Sequence, residues 1–307
     1  MTIYSSSPAT EPLYNLAEGV IWDDRAQLVR WVDVVKGRVL AGELRGGRIV
    51  RVEEFHLGQS ASAVALAEDG GLLIAVARGF ATISPAGTIS LGPDLLGDRK
   101  NLRLNDGSVD PSGRFVVGTA AIGELTGDEV LLRVSNDGAV ETLRDGISLS
   151  NGIAFSPDGA TIYHVDTFAG TVSSHSYGTG SFDRNEPWAT VLNDFPAYPD
   201  GLTVDADGAL WVALWNGSSV QRYAASGELI DTVTVDAPQA SCPGFVGPTL
   251  STLAITTAQE GLEAWTDHSG ALFLADVDAT GLPVPRWTES TTTPHWLRPE
   301  PEEEVSA

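Results

Sequence analysis

Val204-Asp-Ala-Asp-Gly-Ala-Leu-Trp-Val-Ala213 reads as the end of an apolar strand, a tight turn and the start of a second strand. Asp205 opens the turn, Gly208 accepts positive φ, and Leu210-Trp211-Val212-Ala213-Leu214 leaves as a strand. The same pattern recurs in Leu66-Ala-Glu-Asp-Gly-Gly-Leu-Leu-Ile-Ala75, Val109-Asp-Pro-Ser-Gly-Arg-Phe-Val-Val-Gly118 and Phe155-Ser-Pro-Asp-Gly-Ala-Thr-Ile-Tyr-His164. The turn glycines Gly70, Gly113, Gly159 and Gly208 are 43, 46 and 49 residues apart. Ile21-Trp-Asp-Asp-Arg-Ala-Gln-Leu-Val-Arg30 is a weaker fifth copy, about 45 residues before Gly70. No segment carries a ten-residue amphipathic helix pattern; residues 91–100 are the one place expected to hold a short helical turn.

A repeat of that length with about four short strands describes a propeller blade. The 307 residues hold six such repeats once the acidic tail is set aside. The expected fold is all-β: a six-bladed β-propeller with four-stranded blades around a central channel. The blades are placed near 14–55, 56–100, 101–147, 148–195, 196–240 and 241–290, closed by pairing of the two chain ends. Residues 1–13 form an N-terminal extension. Residues 291–307 form a C-terminal extension whose Glu302-Glu303-Glu304 is a solvated end.

Composition agrees with one large core, since 42% of residues are apolar and 19% charged. The formal charge of −23 repels nucleic acid and anionic lipid, and no basic patch offsets it. Cys242 stands alone, which excludes an intramolecular disulfide and a thiolate metal cluster; a buried apolar role is expected. The first residues lack a basic segment followed by an apolar one, and no apolar run approaches a membrane span. A cytoplasmic protein without nucleic-acid or membrane partners is expected. Nothing in the chain signals an oligomeric state.

Four segments break the equivalence of the repeats: Ala17-Glu18-Gly19-Val20, Arg103-Leu104-Asn105-Asp106-Gly107, Ser150-Asn151-Gly152-Ile153 and Pro199-Asp200-Gly201-Leu202. Asn105, Asn151 and Asp200 each lie 8 residues before their turn glycine. Equal offsets in blades related by rotation bring side chains towards one axis, where a propeller's inner strands meet. Any one of these pairs alone is an ordinary turn signal. Their shared offset, each followed by an apolar strand, favours a common site. Glu18, Asn151 and Asp200 would supply two carboxylates and an amide oxygen to one divalent ion, with Asn105 or water completing the shell. Such donors suit Ca²⁺, Mg²⁺ or Mn²⁺; Zn²⁺ would be held through carboxylates, because no His or Cys sits at an equivalent position.

Together with His268-Ser-Gly-Ala-Leu-Phe-Leu-Ala-Asp-Val277, these segments resemble the signature stretches of the SMP-30/gluconolactonase/LRE-like (regucalcin-like) family over about residues 14–288. The resemblance implies a six-bladed propeller with one divalent metal in its channel. By position it implies Glu18, Asn151 and Asp200 as metal ligands, Arg103 and Asn105 as substrate-binding residues, and Asp200 also as the catalytic base. Two places depart from the family pattern: Gly244-Phe-Val-Gly-Pro248 replaces Phe-Gly-Gly-Pro, and His164 precedes Val165-Asp166-Thr167.

The expected activity is metal-dependent opening of a sugar-derived lactone to its aldonic acid by metal-activated water, with a small-molecule lactone as partner. The alternatives are a non-enzymatic calcium-binding scaffold, or the same site acting on another ester, a phosphotriester or a biosynthetic lactone. Arg103 favours an enzyme, since a purely structural cation site has no use for a neighbouring cation. His56, His164, His175, His268 and His295 show no metal-binding spacing, and His164 is expected to be structural. Ser108 and Ser150 have no evident His partner. Trp22, Trp211 and Trp215 are expected to pack between blades.

Overall fold

The computed structural model describes residues 1–135, 137–178, 182–289, 291, 292, 294 and 296. Six sheets stand in a ring, each beginning at the axis and stepping outward through four antiparallel strands, with a fifth, parallel strand on one of them. The inner strands are Ala17–Asp23, Ala61–Leu66, Leu102–Val109, Ser150–Phe155, Tyr198–Val204 and Ala240–Val246. The chain is thus a six-bladed β-propeller. Among the described residues no helix is long and apolar enough to cross a membrane.

Apolar strands arise because each blade is covered on both faces. The core divides into six clusters, one in each gap between adjacent blades. On the third strand of blade three, Val130, Leu132 and Val134 turn towards blade two, whereas Leu131 joins the cluster shared with blade four. Strict alternation is therefore lost from the sequence: both faces are dry, and successive side chains serve different cores. Trp22 and Trp211 lie in such gaps, as expected.

The repeated turns have a common chemistry. The Gly113 amide donates to the Asp110 carbonyl at 2.9 Å, while the Asp110 carboxylate accepts the Ser112 and Arg114 amides. Asp205 repeats this with Gly208, Asp207 and Ala209. Gly113 and Gly208 adopt φ of +79° and +83°, where a β-carbon would be strained.

Closure differs in detail from the sequence expectation. Residues 1–13, placed outside the propeller, supply two strands. Ser7–Pro8 pairs with Phe273–Asp276 as the outer strand of blade six, and Thr2–Ser5 runs parallel beside Leu229–Thr234 of blade five. Blade six therefore does not take its fourth strand from residues 277–289. That stretch crosses the turns at one end of the channel instead. The Ala206 amide donates to the Thr280 carbonyl, the Gly281 amide to Leu250, the Trp287 amide to Leu66 and the Thr288 amide to Gly113. Local periodicity could not show this, because both segments are held by partners far away in the chain. The helical turn expected within 91–100 is also absent: Ile89–Asp94 is the outer strand of blade two, with turns and bends after it. The acidic tail and His295 lie outside the described residues.

Because the N-terminal strands complete two sheets, deleting residues 1–8 should lower Tm by roughly 5–10 °C, on the scale of ~2–4 °C per kcal/mol for chains of comparable size. Thermal unfolding followed by circular dichroism measures this; an unchanged Tm would show that the ring closes without them.

Candidate active site

Each inner strand slips register against its neighbour at the same level, at Glu18/Ile21, Ala61/Ala63, Leu104/Gly107, Asn151/Ile153, Pro199/Leu202 and Ala240/Pro243. Such bulges turn a side chain out of the pleat. At or beside them stand Glu18, Ser62, Asn105, Asn151, Asp200 and Ser241, one from each blade. Glycines permit the strands to meet there: a β-carbon on Gly152 would lie 2.7 Å from the Asp200 carbonyl oxygen, and one on Gly201 2.7 Å from that of Ser241.

Glu18, Arg103, Asn105, Asn151 and Asp200, all named from sequence, line one cavity of about 260 Å³. Leu16, Leu149, Thr167, Phe168, Tyr198, Trp215 and Asn216 complete it. Trp215 thus borders the cavity as well as leaning on the core between blades one and two. Ser62 and Ser241 were missed. The Ser62 hydroxyl donates to the Asn105 carbonyl at 2.9 Å, and that of Ser241 to the Ala17 carbonyl at 2.7 Å, so both tie neighbouring inner strands together. For Ser62 the signal was present, since it too lies 8 residues before its turn glycine, Gly70.

A directional chain of hydrogen bonds orients the amides. The Thr167 hydroxyl donates to the Pro199 carbonyl at 2.9 Å, so its oxygen is left to accept from Asn151 Nδ2, also at 2.9 Å. This turns Asn151 Oδ1 the other way, where it accepts from Asn105 Nδ2 at 2.8 Å. Asn105 Nδ2 also donates to the Ser150 carbonyl, and its Oδ1 accepts from the Arg103 guanidinium at 2.7 Å. Fixed donors and acceptors at both ends settle which atom of each amide is oxygen. Nothing in the sequence around Thr167 signals this role.

Charge makes the site costly. Burial pushes the Glu18 carboxyl well above its ordinary range, helped by the charges of Asp200 and Asp106; the Gly19 amide and Arg103 oppose this. Asp200 is likewise raised by burial and then by Asp106. Asp106 itself is pushed up to about 6 by burial, against the Gly107 amide. Burial pulls the Arg103 guanidinium down, while Glu260 and Glu18 act in the other direction. Three neighbouring carboxylates raised by desolvation, with Arg103 the one arginine beside them, leave uncompensated negative charge. No group of three or more His, Cys, Asp or Glu side chains stands at metal-binding spacing among the described residues. The donors available to a cation are therefore two carboxylates and amide oxygen, a hard oxygen set that fits a divalent ion and relieves the repulsion between Glu18 and Asp200.

Asp106 lines a second cavity, of about 470 Å³, together with Cys242, Ser108 and the Leu282–Pro285 stretch. The Cys242 thiol is buried and raised by that burial, then by Asp106 and Glu18, which makes it a poor nucleophile. Ser150 corrects the sequence reading: it does have a histidine partner, with Oγ 2.7 Å from His164 Nε2. The pairing comes from adjacent strands, whose separation in sequence hides it. His164 Nδ1 faces the Arg144 guanidinium at 3.1 Å, and a guanidinium can only donate. The imidazole proton therefore lies on Nε2 and points at Ser150, the wrong way round for a base acting on that hydroxyl. Both residues are fully buried, and burial followed by Arg144 holds His164 well below its usual pKa.

The family model described as SMP-30/Gluconolactonase/LRE-like region matches residues 16–259. Pentonolactonase XacC of Haloferax volcanii is 32% identical over 287 residues, spanning 87% of this chain and 93% of the relative. The 6-deoxy-6-sulfogluconolactonase of Pseudomonas putida is 30% identical, spanning 88% of this chain and 94% of that protein. A crystal structure titled as a calcium-binding protein, regucalcin, from Agrobacterium tumefaciens superposes with a TM-score of 0.85 at 28% identity, covering 94% of this chain and 99% of that one.

The repulsion gives a test in the absence of cations. A carboxyl raised in the folded state binds its proton more tightly than in the unfolded chain, so stability falls as pH rises from the unfolded pKa through the folded one. In EDTA, Asp200→Asn should raise Tm over wild type, by more at pH 8 than at pH 5. Scanning fluorimetry measures it, and a mutant no more stable at either pH would contradict the electrostatic account.

Proposed function

The chain belongs to the SMP-30/Gluconolactonase/LRE-like family, and on that footing we propose that it opens a sugar-derived lactone to the aldonic acid with the help of one divalent ion. The observation that carries this reading is the meeting of Glu18, Asn151 and Asp200 with one arginine, Arg103, in a single cavity. The lactonase names of the Haloferax and Pseudomonas relatives support it.

Glu18, Asn151 and Asp200 would hold the ion, Asn151 through the Oδ1 that Thr167 and Asn105 orient. When bound, the cation supplies Lewis-acid polarisation of the carbonyl and a lowered pKa for water. Asp200 takes the proton from the attacking water as the new C–O bond forms at the carbonyl carbon. It returns that proton to the ring oxygen when the acyl C–O bond breaks, so the carboxylate is regenerated. Arg103 donates hydrogen bonds to lactone oxygens and favours the negative charge that develops there. Asn105, already bonded to Arg103 and Asn151, keeps both at fixed orientation. Leu16, Leu149, Phe168, Tyr198 and Trp215 exclude bulk water and offer apolar surface to the CH face of a sugar ring.

Acid release from glucono- and pentonolactones should require added Ca²⁺, Mn²⁺, Mg²⁺ or Zn²⁺ and stop on chelation. Asp200→Ala should lower kcat by at least about 10³-fold with a retained far-UV spectrum, and Glu18→Gln should weaken metal activation. A pH-stat assay over lactones of both ring sizes decides the matter. Metal-bound wild type that opens none of them would end the lactonase reading in favour of a cation-binding scaffold.

A further inference from the structure

Arg103 is the single arginine or lysine among the residues that line the site cavity, and its surroundings bear on which lactones enter. Its guanidinium bonds to the Leu104 carbonyl and to Asn105 Oδ1, both within its own strand. The carboxylates that act on it are Glu260 and Glu18. Glu18 lines the cavity. Glu260 lies on the long loop that follows Thr252–Thr257, and it is exposed.

The backbone around Glu260 is tied to residues of the cavity wall. Its amide donates to the Asn15 carbonyl at 3.1 Å, next to the lining residue Leu16, which itself bridges Ala258. Its carbonyl accepts from Gln239 Nε2 at 3.0 Å, and Gln239 bridges the lining residue Trp215. The Glu260 backbone is therefore anchored beside Leu16 and Trp215, and no salt bridge within 4.0 Å joins its side chain to Arg103 among the described residues. A substrate bound to Arg103 enters the field of this carboxylate.

We propose that Glu260 is a specificity-determining residue that selects uncharged sugar lactones and rejects lactones bearing a phosphate, sulfonate or carboxylate substituent. The inference rests on the lactonase reading and deepens it. Arg103 alone would attract such anions and pair with them. A carboxylate carried on backbone anchored beside Leu16 and Trp215 offsets that attraction and adds repulsion, which is selection by a disfavoured alternative. Its hydroxyl-accepting oxygens still suit a neutral polyol lactone. Repulsion at a solvent-exposed rim is worth about five- to tenfold in selectivity at low salt and fades as the Debye length shrinks to ~3 Å at 1 M.

The test uses the metal-loaded full chain with two probes, glucono-1,5-lactone and its 6-phosphate, and reads the ratio of their kcat/KM values. Wild type should favour the uncharged probe, less so in 1 M salt. Glu260→Gln should shift the ratio about five- to tenfold towards the phosphate, and Glu260→Lys further. Glu260→Asp should retain the wild-type ratio, and Glu263→Gln, an equal change of net charge on the same loop, should not move it. An unchanged ratio in both Glu260→Gln and Glu260→Lys, with wild type active, overturns this inference alone. An equal shift in Glu263→Gln also overturns it, in favour of a diffuse charge effect. Wild type that opens neither probe overturns the lactonase reading, and this inference with it.

Discussion

Glu18 and Asp200 come from the first and fifth blades and are brought to one cavity, with both carboxyls partly desolvated, by the packing of six strands around an axis. Nothing local favours that meeting. Burial and mutual repulsion both act against two ionised carboxylates, and the cost is borne by the cores between the blades. Those cores must be complete on both faces of every blade, which is why the strands are almost uniformly apolar and why the ring closes with strands from the N-terminus. The axial glycines follow from the same geometry. With β-carbons at 152 and 201 the inner strands could not approach closely enough for these side chains to share a cavity.

Orientation within the site depends on neutral groups. Thr167 fixes Asn151, Asn151 and Ser150 fix Asn105, and Asn105 holds Arg103, so one chain of hydrogen bonds runs from the blade-five strand across to blade three. Each member has a partner whose donor or acceptor character is not in question. The arrangement keeps Asn151 Oδ1 turned away from Thr167 without any charge to hold it. On the same strand the buried Ser150 meets His164, whose other ring nitrogen faces Arg144, in an orientation that does not activate the serine.

Much of the site was legible because a propeller converts sequence spacing into angular position. The 8-residue offset before the turn glycine placed Asn105, Asn151 and Asp200 at one level, and the cavity lined by all three agrees with that reading. The same offset would have yielded Ser62, but a serine in an apolar run carries no chemical signal of its own. Ser241 and Thr167 were hidden for another reason: their roles are to bond carbonyls and amides that only the fold brings near. The histidine partner of Ser150 was hidden likewise, by a hairpin that sets residues 14 positions apart side by side.

The chain by itself determined the number of blades and the level of Asn105, Asn151 and Asp200 on their strands, because a repeated turn dictates both locally, and residue identity alone gives those side chains their oxygen atoms. Tertiary structure alone decided what closes the ring, what crosses the far end of the channel and which groups face Arg103. Ser7–Pro8, the stretch after Asp276 and Glu260 all act on partners distant in sequence. Contacts of that kind are set by the shape of the assembled blades, and no periodicity within a single blade records them.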